Sequence, residues 1–127
     1  MTITGSSEKF EAWGESATLD TMISWDTIEA AVQLLAEGSK VQRVILFGSY
    51  ATGKATEDSD LDFLVIESGL KTRREEMVRL RARLRPLGIP VDVMVADAGQ
   101  FETWKGQPGT ALFEAAHHGQ VLFERAG

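Results

Sequence analysis

Cysteine is absent from all 127 residues, which excludes a disulfide framework and any thiolate metal site. Long apolar runs are missing as well. The longest, "VILF" and "FLVI", fall far short of the roughly 20 residues a helix needs to span a bilayer. The opening "MTITGSSEKFEAWGE" lacks the basic n-region and apolar h-region of a secretory signal. The expectation is a cytoplasmic protein with no membrane partner. Basic residues are in deficit: 13 Lys and Arg stand against 19 Asp and Glu, for a formal net charge of -6. That balance argues against direct nucleic-acid binding, because phosphate contacts need cations. Internal repeats and low-complexity tracts are also lacking.

What remains is the composition of a globular protein, 43% hydrophobic and 25% charged, at a length suited to one domain. Residues 1–21, polar and rich in Gly, Ser and Thr, are expected to form an N-terminal arm, and 22–127 a single domain. Trp25, Ile28, Val32 and Leu35 recur at helical spacing, with Ser24 or Asp26 as the cap and Gly38 as a stop. "VQRVILF" (41–47), "LDFLVIE" (61–67) and "VDVMVA" (91–96) read as strands. A helix from Thr72 to Arg85 buries Met77, Leu80 and Leu84, and Pro86 and Gly88 close it. A short helix follows Asp97, another covers Thr110 to His118, and "VLFE" forms a small edge strand. This order predicts an α/β (α+β) domain, a small sheet flanked by helices.

Seven of the 13 basic residues fall between Lys71 and Arg85. A solvated helix face is the plain reading of such a run, and a docking surface for an acidic partner is the alternative.

Two familiar motifs are nearly matched. Gly48 and Gly53-Lys54 imitate a phosphate-binding P-loop, but Ala55 stands where the Mg²⁺-binding hydroxyl belongs. "ATEDS" then turns at once into a strand, leaving no room for the helix whose N-terminus must face the phosphates. Asp58, Asp60 and Asp62 imitate an EF-hand, but Phe63 and Gly69 replace its required Gly and Glu. Asp58 and Ser59 read better as turn formers.

Asp60 and Asp62 lie two residues apart at a strand entrance, so their side chains share one side. Carboxylates held this close repel one another unless a cation joins them, and Mg²⁺ suits oxygen donors. Asp92, inside "VDVMV", needs either a partner or a solvated cleft. It is therefore a candidate third carboxylate of a two-metal site, one ion activating a hydroxyl and the other neutralising leaving phosphates. Gly48-Ser49, where a strand gives way to a turn, can present backbone N–H groups and a hydroxyl to an anion.

The spacing Gly48-Ser49, ten residues, then Asp60-x-Asp62, with the later Asp92, resembles the DNA polymerase β-like nucleotidyltransferase superfamily. Its minimal nucleotidyltransferase (MNT) members are the nearest in pattern, through "FGSYATGKATEDSDLDFLV" and the closing "LFEAAHHGQVLFE". The resemblance implies the nucleotidyltransferase fold and Mg²⁺-dependent transfer of AMP from ATP to a hydroxyl. Asp60, Asp62 and Asp92 would be catalytic and bind two Mg²⁺ ions, and Gly48, Ser49 and Lys54 would bind the nucleotide. Many MNT proteins are antitoxins that modify a tyrosine of a HEPN-domain toxin, so the implied partner is a HEPN toxin. Two alternatives stand: an antitoxin acting by docking alone, and transfer to a small molecule. Thr52 replaces an Arg common in the family, so a phosphate contact is lost unless Lys54 supplies it. Trp104 is expected in the core, and His117-His118 at a helix end as complements of the dipole. Tyr50, beside the loop, offers a possible site of self-modification.

Overall fold

Ser24 caps the first described helix by accepting the Thr27 N–H on its hydroxyl at 3.2 Å, which satisfies one of the donors a helix start leaves unpaired. Helix α1 (Trp25–Ala36) then buries Trp25, Ile28, Ala31, Val32 and Leu35 along one stripe. The computed structural model describes residues 22–125. The expected arm, 1–21, lies outside them.

Strand β1 (Val41–Phe47) leads through the one-turn helix α2 (Ser49–Thr52) to β2 (Leu61–Glu67). Helix α3 (Arg73–Leu84) and a 3-10 turn, Arg85–Leu87, carry the chain to β3 (Val91–Asp97). Helices α4 (Ala98–Trp104) and α5 (Ala111–His118) follow, and β4 (Gln120–Glu124) ends the sheet. The strand order is β3-β2-β1-β4. β1 runs antiparallel to β2 and β4, while β2 and β3 are parallel, joined by the α3 crossover. The expected small sheet flanked by helices is the fold observed, and the sheet is mixed.

Period-two alternation divides the side chains between two layers. Leu61, Phe63 and Val65 of β2, with Val93 and Val95 of β3, pack with α1 and with Leu80 and Leu84 of α3. Leu64, Ile66, Met94 and Ala96 face the other way, toward Phe101 of α4 and Ala115 of α5. Both faces of the central strands are therefore covered along most of their length, and β2 reads as a nearly unbroken apolar run. Asp62 and Asp92 belong by alternation to the second face.

One expectation, Trp104 in the core, needs correcting, and the burial of Tyr50 speaks against self-modification there. Trp104 is 47% exposed: Phe101, one turn earlier, fills the space beneath α4 and leaves the last residue of this short helix outside. Tyr50 is buried, and its hydroxyl accepts the Ile23 N–H at 3.2 Å, so it packs in the core and is not poised for modification. Among the described residues no helix is long and apolar enough to cross a membrane.

Candidate active site

β1 ends at Phe47, which lies opposite Asp62 in the antiparallel register. The next residue, Gly48, has φ 78° and ψ -156°, a region closed in practice to residues with a side chain. A Cβ added there would run into the Asp62 carboxylate. Glycine is thus required twice at one position: it permits the turn, and it leaves the space the carboxylate occupies.

The turn continues as α2. The Gly48 carbonyl accepts the N–H groups of Ala51 and Thr52 at 3.0 and 3.2 Å, and the Ser49 carbonyl accepts the Lys54 N–H at 2.9 Å. The Thr52 hydroxyl folds back to the Gly48 and Ser49 carbonyls, at 3.3 and 3.4 Å. Thr52 therefore stabilises the loop's own backbone instead of extending toward a ligand as an arginine would. Lys54 is exposed beyond the loop.

Downstream, Thr56 and Ser59 close a tight turn, with the Thr56 N–H donated to the Ser59 hydroxyl at 2.8 Å and the Asp58 N–H to the Thr56 hydroxyl at 3.3 Å. This is local turn chemistry. It delivers the exposed Asp60 immediately ahead of β2 and Asp62 within it.

Asp92 sits level with Asp62 on the neighbouring parallel strand, so their side chains leave the same face. The electrostatic result is visible at Asp62. Burial first, then the charge of Asp92, then that of Asp60, raise its carboxyl above its ordinary value. The charges of both other acids thus reach Asp62. Asp92 also has a counter-ion, since Arg81 of α3 donates to its Oδ1 at 2.5 Å and to the Val93 carbonyl at 3.3 Å.

Oxygen donors of this kind suit Mg²⁺, and the repulsion around Asp62 is what a bound cation relieves. Among the described residues, however, no three His, Cys, Asp or Glu side chains stand ready to hold a metal ion. The donor set is open: Asp62 and Asp92 at one level, Asp60 at the strand entrance, and Asp92 engaged by Arg81. Completing it takes a side-chain adjustment or oxygens brought by a nucleotide.

Two clefts of about 560 and 510 Å³ lie elsewhere, and none of the three acids lines either. The first, toward the far end of β2, contains a second acidic feature. Glu67 is 2% exposed and its Oε2 has no hydrogen-bond partner. Its carboxyl is pushed up to about 7 by burial first and then by hydrogen bonding to, and the charge of, Glu76, which Arg79 grips through two bonds of 2.9 and 2.6 Å. The sequence reading missed both Glu67 and Arg81. Glu67 looks like the polar end of an edge-facing strand, and Arg81 is one arginine among many. The one available signal for Arg81 was the need of Asp92 for a partner.

A mixed sheet with an acidic cluster beside a Gly-Ser turn defines a class of fold, and comparison with known proteins gives that class its name. The family described as Nucleotidyltransferase domain matches residues 28–116, and the chain belongs to it. Two proteins of Methanocaldococcus jannaschii, the candidate protein adenylyltransferases MJ0141 and MJ1379, are similar in sequence. They are 35% identical over 57 residues and 34% identical over 64. Those matches cover 45% and 49% of this chain, and 57% and 64% of the relatives' own length. A chain from a crystal structure of a toxin-antitoxin with AMP-PNP shares the fold, with a TM-score of 0.51 at 19% identity. The likeness covers 81% of this chain and 75% of that one.

Proposed function

We propose that this protein transfers AMP from ATP to a protein hydroxyl, and that it acts as the antitoxin of a toxin–antitoxin pair by modifying a tyrosine of a HEPN-type toxin. Family membership supports nucleotidyl transfer. The names of the two archaeal relatives support a protein acceptor. The observation that carries the reading is the Asp62 carboxylate seated against Gly48 and level with Asp92 on the next strand.

In the proposed reaction the tyrosine oxygen bonds to the α-phosphorus, the bond to the β-phosphate oxygen breaks, and pyrophosphate leaves. The Gly48–Ser49 turn holds the phosphates through backbone N–H groups and the Ser49 hydroxyl. Asp92 accepts the proton of the attacking hydroxyl, and Asp60 and Asp62 orient the donor. Divalent cations held by Asp60, Asp62 and Asp92 would supply charge neutralisation for the phosphates. Asp60, ahead of β2, is exposed, and Asp62 and Asp92 beside it are partly exposed, so an acceptor can reach the acids from outside.

The test is intact-mass analysis of the partner after incubation with ATP and Mg²⁺. An AMP adduct is expected with the wild type, reduced at least about 100-fold by Asp62→Asn. An adduct formed equally well by that variant removes the site from the reaction. A second reading, neutralisation by docking alone, draws on Thr52 and on the engagement of Asp92 by Arg81. It predicts that Asp62→Asn still protects cells from the toxin.

A further inference from the structure

Arg81 and Asp92 come from opposite layers of the molecule. Leu80 and Leu84 fix α3 on the face shared with α1, whereas Asp92 alternates with Met94 and Ala96 toward the other face. β3 is an edge strand, so the Arg81 side chain passes around the free edge of the sheet. Two residues along α3, Arg83 ties the helix to α1 by donating to the Leu34 carbonyl at 3.0 Å. At the strand, Arg81 takes both the Asp92 carboxylate and the Val93 carbonyl. Such an approach, anchored on both sides, is a built contact.

Resting on the nucleotidyl-transfer reading above, we infer that Arg81 is a latch on Asp92, a positioning residue that competes with a divalent cation for the carboxylate and lowers the resting affinity of the site for metal. Two like-charged groups cannot share one carboxylate at close range without repulsion. The guanidinium neutralises Asp92 alone and leaves Asp62 beside unrelieved negative charge, whereas a divalent ion between the strands relieves both. The exchange is inexpensive because Arg81 and Asp92 are 43% and 50% exposed, and exposed ion pairs contribute little. The latch therefore holds the site in a low-affinity state until metal arrives with the phosphates of a nucleotide.

The test is Mn²⁺ binding to the full chain without nucleotide, followed by the electron paramagnetic resonance signal of the free ion. Arg81→Gln is expected to bind Mn²⁺ about two- to fivefold more tightly than the wild type, the range available from an exposed ion pair. Arg81→Lys, which keeps the charge but loses the fork, falls between them and reads the same competition if the glutamine variant folds poorly. In an Asp92→Asn background the gain disappears. A purely structural role for Arg81 cannot tighten binding, so unchanged or weaker binding by Arg81→Gln overturns the latch. If the wild type nevertheless shows binding that Asp62→Asn abolishes, the metal site survives that failure. Absence of Asp62-dependent binding in both the wild type and Arg81→Gln overturns latch and metal site together.

Discussion

Gly48 shows how much one residue without a side chain decides in this site. Its backbone angles and the nearby Asp62 carboxylate make separate demands, and alanine meets neither. Gly48→Ala is expected to destabilise the protein by about 1–3 kcal/mol, the cost of a residue forced into that region, measured by urea denaturation. Because the added methyl displaces the Asp62 carboxylate, adduct formation should fall at least about tenfold even where the protein remains folded. Activity surviving intact in a folded Gly48→Ala protein contradicts the placement of Asp62. The glycine was legible in the sequence through its spacing to Asp60 and Asp62, since a Gly-Ser pair by itself is usually an ordinary turn, and its contact with Asp62 was not legible at all. Nor was the arginine on Asp92, because nothing in local spacing distinguishes Arg81 from Arg74 or Arg85.

At the scale of elements, α3 joins two ends of the molecule. Through Arg81 it reaches the acids at the start of β3, and through Glu76 and Arg79 it clamps Glu67 at the end of β2. Glu67 and Glu76 titrate in opposite directions. The folded Glu67 carboxyl is raised from 4.5 to about 7, so its contribution to stability is full below the unfolded value and is lost as pH rises toward and past 7. Glu76 is lowered from 4.5 to about 2, first by its bond to Arg79, so its contribution is present above 4.5 and lost as pH falls toward 2. Stability should therefore peak at about pH 4.5 and decline by about 1–3 kcal/mol by about pH 8. Glu67→Gln, which retains a donor for Glu76 but cannot ionise, should flatten that decline. Urea melts of both proteins at the two pH values check this, and an equal fall in each would exclude Glu67 as the cause. Arg73 and Arg74 of α3 and Arg85 just after it are exposed and agree with a solvated face, while Arg79, Arg81 and Arg83 are spent on contacts within the fold.

For the molecule as a whole, the relevant fact is that both hydrophobic layers rest on opposite faces of the same three strands, β1, β2 and β3. Neither layer can open without exposing the reverse side of the sheet that supports the other. A single cooperative transition is expected, with far-UV circular dichroism and tryptophan fluorescence changing at the same urea concentration. Trp25, buried in the layer of α1, reports on one face directly, while circular dichroism follows the helices of both. Separate midpoints would mean that the α4–α5 layer unfolds on its own.

The sequence alone determined the elements, because helical and strand periodicities are local and each is written within a dozen residues. It also determined the Gly-Ser to Asp-x-Asp spacing, since a turn between adjacent antiparallel strands keeps residues near in sequence near in space. Only the tertiary structure decided that Arg81 meets Asp92, that Glu67 is buried beneath Glu76 and Arg79, and that Trp104 remains outside. Those outcomes depend on how a helix seats against an edge strand and which side chain fills a given space first. Such long-range packing leaves no periodic trace along the chain.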